Sequence, residues 1–348
     1  MMGRIRTVGS VTALPVVDLR AGEAQLRRGL REAAHEVGFC YLTGHGVSDG
    51  LARRVLEAAR RLFELPQTDK DAIAMVRSPH FRGYTRMGGE LTRGQVDWRE
   101  QIDIGPERAP VGGPGKPDYL WLQGPNQWPA ALPELPGIIA EWDAALSAVA
   151  RTLLRHWAAA LGSPSDAFGP AFAETPATLI KIVRYPRTAA SSQGVGPHKD
   201  SGVLTLLLAE PGSRGLQVRR PGTQEWIDVP PTDGSFVVNI GELLEVATGG
   251  YLRATEHRVN LDGQPADRIS VPYFFNPRLD AQIPLLTLPP ELQASAGRVT
   301  DPSDPIFSVY GRNAWKSRLR AHPDVASAHG YSAGRVGNEN PVLGSRGE

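Results

Sequence analysis

The spacing of apolar residues changes along the chain, from a helical period to short alternating runs. Up to about residue 161, apolar positions recur every three or four residues, which is typical of helices packed on a core. One helix is predicted to end near Gly38, a second is stopped by Pro66, and a third runs from about Leu135 to Leu161. The apolar run 39–42 predicts a strand, and the Gly- and Pro-rich residues 105–130 predict a long surface excursion.

From Thr178 onward, short apolar runs are separated by Gly, Pro and Asp, which predicts strands. The predicted strands are 179–185, 203–209, 216–219, 226–229, 236–240, 256–260 and 269–275. A loop is predicted at 188–197 and a final helix at 304–320. Short strands with turn signals between them indicate an antiparallel sandwich or barrel. Because helices precede and follow one β-core, we predict a single domain.

Composition narrows the class of protein. The 348 residues include 38 Lys and Arg against 37 Asp and Glu, a formal net charge of +1, which gives no basic surface for nucleic acid or anionic membranes. No apolar stretch approaches the roughly 18 residues of a membrane span, and the N-terminus has no apolar core of a secretory signal. The single cysteine, Cys40, rules out an intramolecular disulfide framework. We therefore expect a cytoplasmic protein.

Two histidines and one aspartate form the strongest candidate site. His198 and Asp200 are two residues apart, so in an extended chain they point to the same side and can bind one ion together. This pair alone is weak, but His257 lies on a later predicted strand of the same core. Two His and one carboxylate that occupy one face of a metal and leave three positions open form the facial triad of non-haem iron(II) oxygenases. Structural zinc sites, in contrast, are closed by four protein ligands.

A second candidate group follows His257 along the chain. Arg268 and Ser270 share one face of a predicted strand, where a guanidinium and a hydroxyl can hold a carboxylate through charge-assisted hydrogen bonds. Tyr185 adds a donor if its strand is a neighbour. Taken alone, Arg268 would be read as a surface charge and Tyr185 as a core ring. The triad favours a binding site.

Other polar residues are interpreted as structural. His45 lies in a turn, where we expect a hydrogen-bonding role, and His322 has no partner pattern. Glu242 and Glu245 are predicted to lie on the solvated face of a short helix.

Motifs over nearly the whole chain resemble those of the isopenicillin N synthase-like group of iron and 2-oxoglutarate-dependent dioxygenases. In the N-terminal part the similar segments are Leu14-Pro-Val-Val-Asp-Leu19, Gly38-Phe-Cys-Tyr-Leu-Thr-Gly-His-Gly-Val47, Arg82-Gly-Tyr84 and Gly124-Pro-Asn-Gln-Trp-Pro129. In the core they are Val183-Arg-Tyr-Pro186, His198-Lys-Asp200, Leu204-Thr-Leu-Leu-Leu208, Val238-Asn-Ile-Gly241, His257-Arg-Val259, Arg268-Ile-Ser270 and Tyr273-Phe-Phe-Asn-Pro277.

The resemblance implies a mainly β fold with flanking helices around a double-stranded β-helix, a jelly-roll or cupin-like core. On that basis residues 1–177 form a mainly helical N-terminal region, 178–280 the core, and 281–348 a C-terminal helix and tail. The resemblance also implies Fe(II) on the triad, 2-oxoglutarate on Arg268, Ser270 and Tyr185, and O₂ as co-substrate. The expected reaction is oxidation of an unactivated C–H bond of a small molecule in secondary metabolism, by hydroxylation, desaturation or ring closure. The residues expected to line the substrate pocket are Tyr84, Arg86, Val195, Leu204 and Phe275.

Two alternatives stay open at this point. Val183 stands where many plant members carry an Asn, and Val-Arg-Tyr-Pro is closer to isopenicillin N synthase, an oxidase that uses no 2-oxoglutarate. The other alternative is a non-redox metal-binding β-sandwich, against which the spacing of Arg268 and Ser270 argues. Asp200 disfavours halogenation, because related halogenases lack this carboxylate. The substrate and the oligomeric state do not follow from the sequence.

Overall fold

The computed structural model describes residues 13–174, 176–187, 190–264, 266–297 and 304–331. The C-terminal tail from residue 332, and residues 188 and 189 of the predicted loop, lie outside this set.

Fourteen strands form three sheets within the described residues. The strands are β1 (Val16–Asp18), β2 (Phe39–Thr43), β3 (Gly83–Thr85), β4 (Glu90–Thr92), β5 (Gln95–Asp97), β6 (Glu100–Ile104), β7 (Leu179–Tyr185), β8 (Gln193–His198), β9 (Leu204–Ala209), β10 (Leu216–Arg219), β11 (Trp226–Asp228), β12 (Phe236–Ile240), β13 (His257–Asn260) and β14 (Arg268–Phe275). The large sheet has the order β1-β2-β12-β9-β14-β7-β6-β3, the smaller one β11-β10-β13-β8, and β4 pairs with β5 as a separate hairpin. Apart from the parallel pair β1 and β2, all pairing between these strands is antiparallel.

Helices cover one face of the large sheet. They are α1 (Glu23–Glu36), α2 (Asp49–Glu64), α3 (Gln67–Ala72), α4 (Leu135–Ala160), α5 (Glu242–Ala247), α6 (Pro290–Gln293), α7 (Tyr310–Ala321) and α8 (Pro323–Ala328). The predicted apolar stripe of α1 is buried, and the chain leaves this helix at Gly38 with φ 77°. The predicted long helix is confirmed as α4, whose Trp142 and Leu146 are fully buried between α1, α2 and the sheet.

The two main sheets face each other, and alternation along β7 shows how this positions side chains. Ile180 and Ile182 pack into the core on the helix side of the large sheet. Val183 and Tyr185 instead pack against residues of the small sheet, and Lys181 lines an open cleft. Side chains two residues apart on β7 therefore reach the space between the sheets, where the candidate site lies.

The structure confirms the predicted antiparallel β-core and corrects several of its parts. The N-terminal residues, expected to be mainly helical, also supply β1 and β2 to one edge of the large sheet and β6 and β3 to the other. The predicted loop 188–197 contains strand β8. The last helices are α7 and α8, so helix begins at Tyr310 and not at 304. No helix among the described residues is long and apolar enough to cross a membrane.

Candidate metal centre

The three predicted metal ligands meet at one end of the small sheet. His198 closes β8, His257 opens β13, and the two residues are direct partners across these strands. Their imidazole rings lie 4.3 Å apart between centroids. The Nε2 atom of each ring lies 3.7 Å from Oδ1 of Asp200. Three potential ligand atoms thus surround one point.

Hydrogen bonds to the backbone turn both imidazoles toward that point. Nδ1 of His198 donates to the carbonyl of Gly196 at 2.8 Å, and Nδ1 of His257 donates to that of Thr255 at 3.1 Å. Since a neutral imidazole carries one N–H, these bonds leave Nε2 with a free lone pair on each ring. Burial, with the nearby charge of His257, lowers the pKa of His198 to about 4, which keeps this ring neutral at physiological pH.

The carboxylate of Asp200 is held by two donors on neighbouring strands. The Thr205 hydroxyl donates to Oδ2 at 2.6 Å and the Asn239 amide donates to the same oxygen at 2.8 Å. Burial acts to raise the pKa of Asp200, but the two histidines and these hydrogen bonds outweigh it, and the pKa is lowered. The site therefore presents two imidazole Nε2 atoms and one ionised carboxylate, the donor set that suits Fe(II) with open coordination positions.

Arg268 forms a second polar group between the sheets. It is 2% exposed, pairs across strands with Tyr185, and its guanidinium lies 4.9 Å from the centre of the Tyr185 ring. The Nε and Nη1 atoms of Arg268 are buried without a hydrogen-bond partner. Ser270 is also buried, two residues along the same face of β14. A buried guanidinium with unpaired N–H groups fits the carboxylate of a ligand.

A buried apolar cluster connects the strand of His257 with Arg268. Val259 lies two residues after His257 on the same face of β13, which corresponds to about 6.6 Å along a strand. Val259 packs with Tyr185, Val183 and Val195 in one buried cluster. Tyr185 of this cluster contacts the Arg268 guanidinium, so the cluster links the His257 strand to Arg268.

The sheets open into a cleft with a volume of about 1590 Å³. His198, Asp200 and Val195 line it, whereas Arg268, Ser270 and Tyr185 lie in the adjoining buried region. The segment 105–130, expected to be a surface excursion, supplies part of the wall through Leu120 and Leu122. Of the five residues predicted to line the substrate pocket, Val195 does line the cleft, and its contact with a substrate stays a prediction.

Tyr84 and Arg86 do not line this cleft. Tyr84 is 2% exposed, and its hydroxyl donates to Glu100 on the helix side of β6. Arg86 is exposed and its guanidinium forms two hydrogen bonds with Asp71 in α3. On the sequence alone Arg86 could equally bind a substrate carboxylate or be an exposed loop charge, and the structure shows a surface ion pair with Asp71.

Leu204 and Phe275 lie on the wrong face of the large sheet to contact a ligand. Both belong to the core on the helix side. Phe275 is fully buried, and its ring stacks on Phe172 with 4.8 Å between centroids. The neighbouring residues Thr205 and Phe274 line the cleft instead.

Of the residues interpreted as structural, some have the expected surroundings and others do not. His45 has the predicted role, because its ring bonds the Gly234 carbonyl and accepts from the Val47 amide. Glu242 and Glu245 do lie on a short helix, but both line the cleft, and burial raises the pKa of Glu242 to about 7. His322, which showed no partner pattern, is 1% exposed and its Nε2 atom lies 3.6 Å from a carboxylate oxygen of Glu90.

Sequence reasoning missed several residues of the site. Thr205 and Asn239 lie in motifs quoted above, but nothing in their spacing shows that both reach the same oxygen of Asp200. Arg82, in the motif before Tyr84, lines the cleft and was not singled out.

Comparison with known proteins assigns both halves of the chain. Residues 14–131 match the profile described as non-haem dioxygenase in morphine synthesis N-terminal. Residues 177–277 match that of the 2OG-Fe(II) oxygenase superfamily, and this segment contains all three metal-ligand candidates and the Arg268 group.

Curated relatives and solved structures agree with these profiles. The 2-oxoglutarate-dependent dioxygenase frbJ of Dothideomycetidae sp. (strain 11243) is 34% identical, over 91% of each chain. The homoarginine-6-hydroxylase 2-ODD-C23 of Glycine max is 34% identical over 75% of this chain and 80% of its own. The full-length T7H of Neurospora crassa, solved with alpha-KG and thymine, has a TM-score of 0.68 at 23% identity, over 88% of this chain and 98% of its own. The fold is the double-stranded β-helix. The chain belongs to the 2OG-Fe(II) oxygenase superfamily and is an iron- and 2-oxoglutarate-dependent dioxygenase.

Proposed function

We propose that this dioxygenase oxidises an unactivated C–H bond of a small molecule with iron held by His198, Asp200 and His257. The observation that carries the assignment is the convergence of both Nε2 atoms on one carboxylate oxygen at 3.7 Å. Iron bound there supplies activation of O₂, coupled to the oxidative decarboxylation of 2-oxoglutarate to succinate and CO₂. The product is a hydroxylated, desaturated or ring-closed compound.

The chain's own residues bind and orient the reactants. The unpaired N–H groups of Arg268 support a role in anchoring the distal carboxylate of 2-oxoglutarate, with Ser270 and Tyr185 beside it. The apolar side chains of Val183, Val195 and Val259 pack with Tyr185 beside this anchor. Their contribution is to exclude water and to fix the position of the co-substrate.

The type of substrate and the cellular compartment are a separate part of this proposal. The Glycine max relative is named for homoarginine and the Neurospora crassa structure holds thymine, so proteins similar to this one are linked to small polar metabolites. We propose a tailoring reaction on such a metabolite, in natural-product biosynthesis. The buried free thiol of Cys40 supports a reducing, cytoplasmic compartment.

Oxygen uptake and succinate release by the Fe(II)-loaded protein test the reaction class. We expect both to require 2-oxoglutarate. We expect Arg268→Gln to raise the KM for 2-oxoglutarate by about tenfold or more, since a charge-assisted pair is lost. Arg253→Gln is the matched control, because Arg253 is an exposed arginine of the same cleft. Oxygen uptake without 2-oxoglutarate and without succinate would show an isopenicillin N synthase-type oxidase, and activity with zinc alone a non-redox site.

A further inference from the structure

One buried arginine of the cleft has no acidic partner within ion-pair distance among the described residues. Arg82 is 7% exposed and lines the cleft shared with His198 and Asp200. Its Nη2 atom donates to the carbonyl of Leu122 at 2.9 Å, while its Nε atom is buried without a partner. Asp103 and Glu107 act on it from a greater distance. Burying a guanidinium without an acidic partner lowers the free energy of unfolding, unless a bound anion compensates its charge.

The neighbouring buried cations are already paired. Arg99 lies 2.9 Å from Glu90 and 3.3 Å from Asp97, and Lys181 lies 2.7 Å from Glu90. Arg318 of α7 pairs with Asp103. Four buried cations, including Arg82, therefore face three buried carboxylates, because Glu107 is exposed to solvent. Arg82 supplies the surplus buried charge.

Further groups surround the guanidinium of Arg82. The positive charge of Arg318 opposes that of Arg82, and burial, the larger effect, lowers the pKa of Arg82 to about 10. Tyr310 interacts electrostatically with both arginines. Two guanidiniums and a phenol in one buried region form a set of donors that fits an oxyanion.

The local backbone holds Arg82 in this position. Phe81 has φ 55°, a left-handed conformation that is unfavourable for a bulky residue, and its ring is buried against Trp315. Gly105 lies directly against the guanidinium, since a Cβ atom there would approach Nη2 of Arg82 to 2.2 Å. The site is thus built by β3, the end of β6 and α7.

We propose that the substrate carries a carboxylate that binds Arg82 while the rest of the molecule extends toward the metal ligands. This inference rests on the proposed function. The one unpaired positive charge, that of Arg82, would be neutralised by a ligand that carries one negative charge. The wider cleft favours anions as well, because thirteen Lys and Arg against eight Asp and Glu line it, although the whole chain is nearly balanced.

Unfolding temperatures of two variants test the charge imbalance without any ligand. Arg82→Met removes an uncompensated buried charge, so we expect a Tm equal to or above that of the wild type. Arg318→Met leaves Asp103 unpaired, so we expect a lower Tm. If Arg82→Met lowers the Tm as much as Arg318→Met does, Arg82 is a structural residue and the proposal fails.

Matched acids and amides test the ligand chemistry. The probes are hexanoate, phenylacetate, L-phenylalanine and L-arginine, each with its primary amide, added to protein loaded with Mn(II) and 2-oxoglutarate. We expect at least one acid to raise the Tm more than its amide does, and Arg82→Gln to weaken that acid about tenfold or more. Arg82→Lys should restore part of the binding, and Arg253→Gln should change nothing.

Three results would overturn the proposal. They are equal Tm shifts with acids and amides, no Tm shift with any acid, and an acid preference that survives in Arg82→Gln. Succinate release without added substrate reports the proposed function separately. If 2-oxoglutarate turnover persists in Arg82→Gln while acid binding is lost, both proposals are supported. If turnover is absent in the wild type, the proposed function fails whatever the probes show.

Discussion

The orientation of Asp200 depends on two residues that do not bind the metal themselves. Thr205 and Asn239 both donate to Oδ2, so Oδ1 is left facing the two histidines. Such partners fix the direction of a metal-binding carboxylate, and their loss commonly weakens metal affinity.

We expect Thr205→Val, which keeps the shape and removes the hydroxyl, to weaken Mn(II) or Fe(II) binding by about tenfold. Calorimetric titration of the protein with Mn(II) measures the Kd directly. Thr205→Ser retains the donor and should bind metal like the wild type. Wild-type affinity in Thr205→Val would mean that Asn239 alone orients the carboxylate.

At this scale the sequence predicted the ligands but not their partners. His198 and Asp200 could be recognised because two residues in an extended chain share a side. The partners of Asp200 come from β9 and β12, and the side chain that each strand presents there depends on register. Register follows from packing between strands and not from local spacing.

At the scale of elements, the junction between α1 and β2 is tightly constrained at Gly38. Its φ is 77°, and a Cβ atom there would lie 2.3 Å from the carbonyl oxygen of Arg253 and 2.6 Å from Oγ1 of Thr255. Because Thr255 precedes His257 by two residues, this contact supports the strand that carries a metal ligand.

We expect Gly38→Ala to lower the free energy of unfolding by roughly 2–4 kcal/mol, since the positive φ disfavours alanine and the added Cβ would clash with its neighbours. Gly46→Ala is a matched control: Gly46 has φ 76° but no atom within 4 Å of the added Cβ, so only the conformational cost of about 1 kcal/mol applies. Urea unfolding measures both values. Equal losses in the two variants would show that the contacts at Gly38 relax without cost.

Errors in the predicted pocket also arise at this scale. Arg268 and Ser270 face the space between the sheets, so residues of the opposite parity on β14, Phe275 included, must face the helices. That conclusion was available from the sequence. Leu204 could not be placed in this way. Residues 201–203 form a bend after Asp200, so the alternation of side chains does not continue from Asp200 into β9, and Thr205 is the residue that faces the site.

At the scale of the whole molecule, buried charges join segments that are distant in the sequence. The hairpin residue Glu90 contacts Arg99, Lys181 of β7 and His322 at the end of α7. Asp103 of β6 contacts Arg318 of α7. The predicted strand and helix pattern contained these elements only in part, and the balanced composition gave no sign that charge would be concentrated inside.

This network makes acid stability depend on His322. Burial, the largest effect, lowers the pKa of His322 from 6.5 to about 4, although Glu90 acts in the opposite direction and Arg318 in the same one. A lowered pKa in the folded state means that the unfolded chain binds more protons between these two values. The contribution of His322 to stability is therefore present above pH 6.5 and is lost as the pH falls toward 4.

We expect the wild type to lose about 2 kcal/mol more of its unfolding free energy between pH 7.5 and pH 5 than His322→Gln does, because glutamine takes up no proton. Urea unfolding at both pH values measures the difference. His329→Gln serves as the control, since His329 lies at the surface near Val76 and should leave the pH dependence of the wild type unchanged. An identical pH dependence in His322→Gln and the wild type would mean that the network loses stability at low pH because its carboxylates, and not His322, take up protons. In that case Glu90 and Asp103, rather than the histidine, would couple the C-terminal helices to the core.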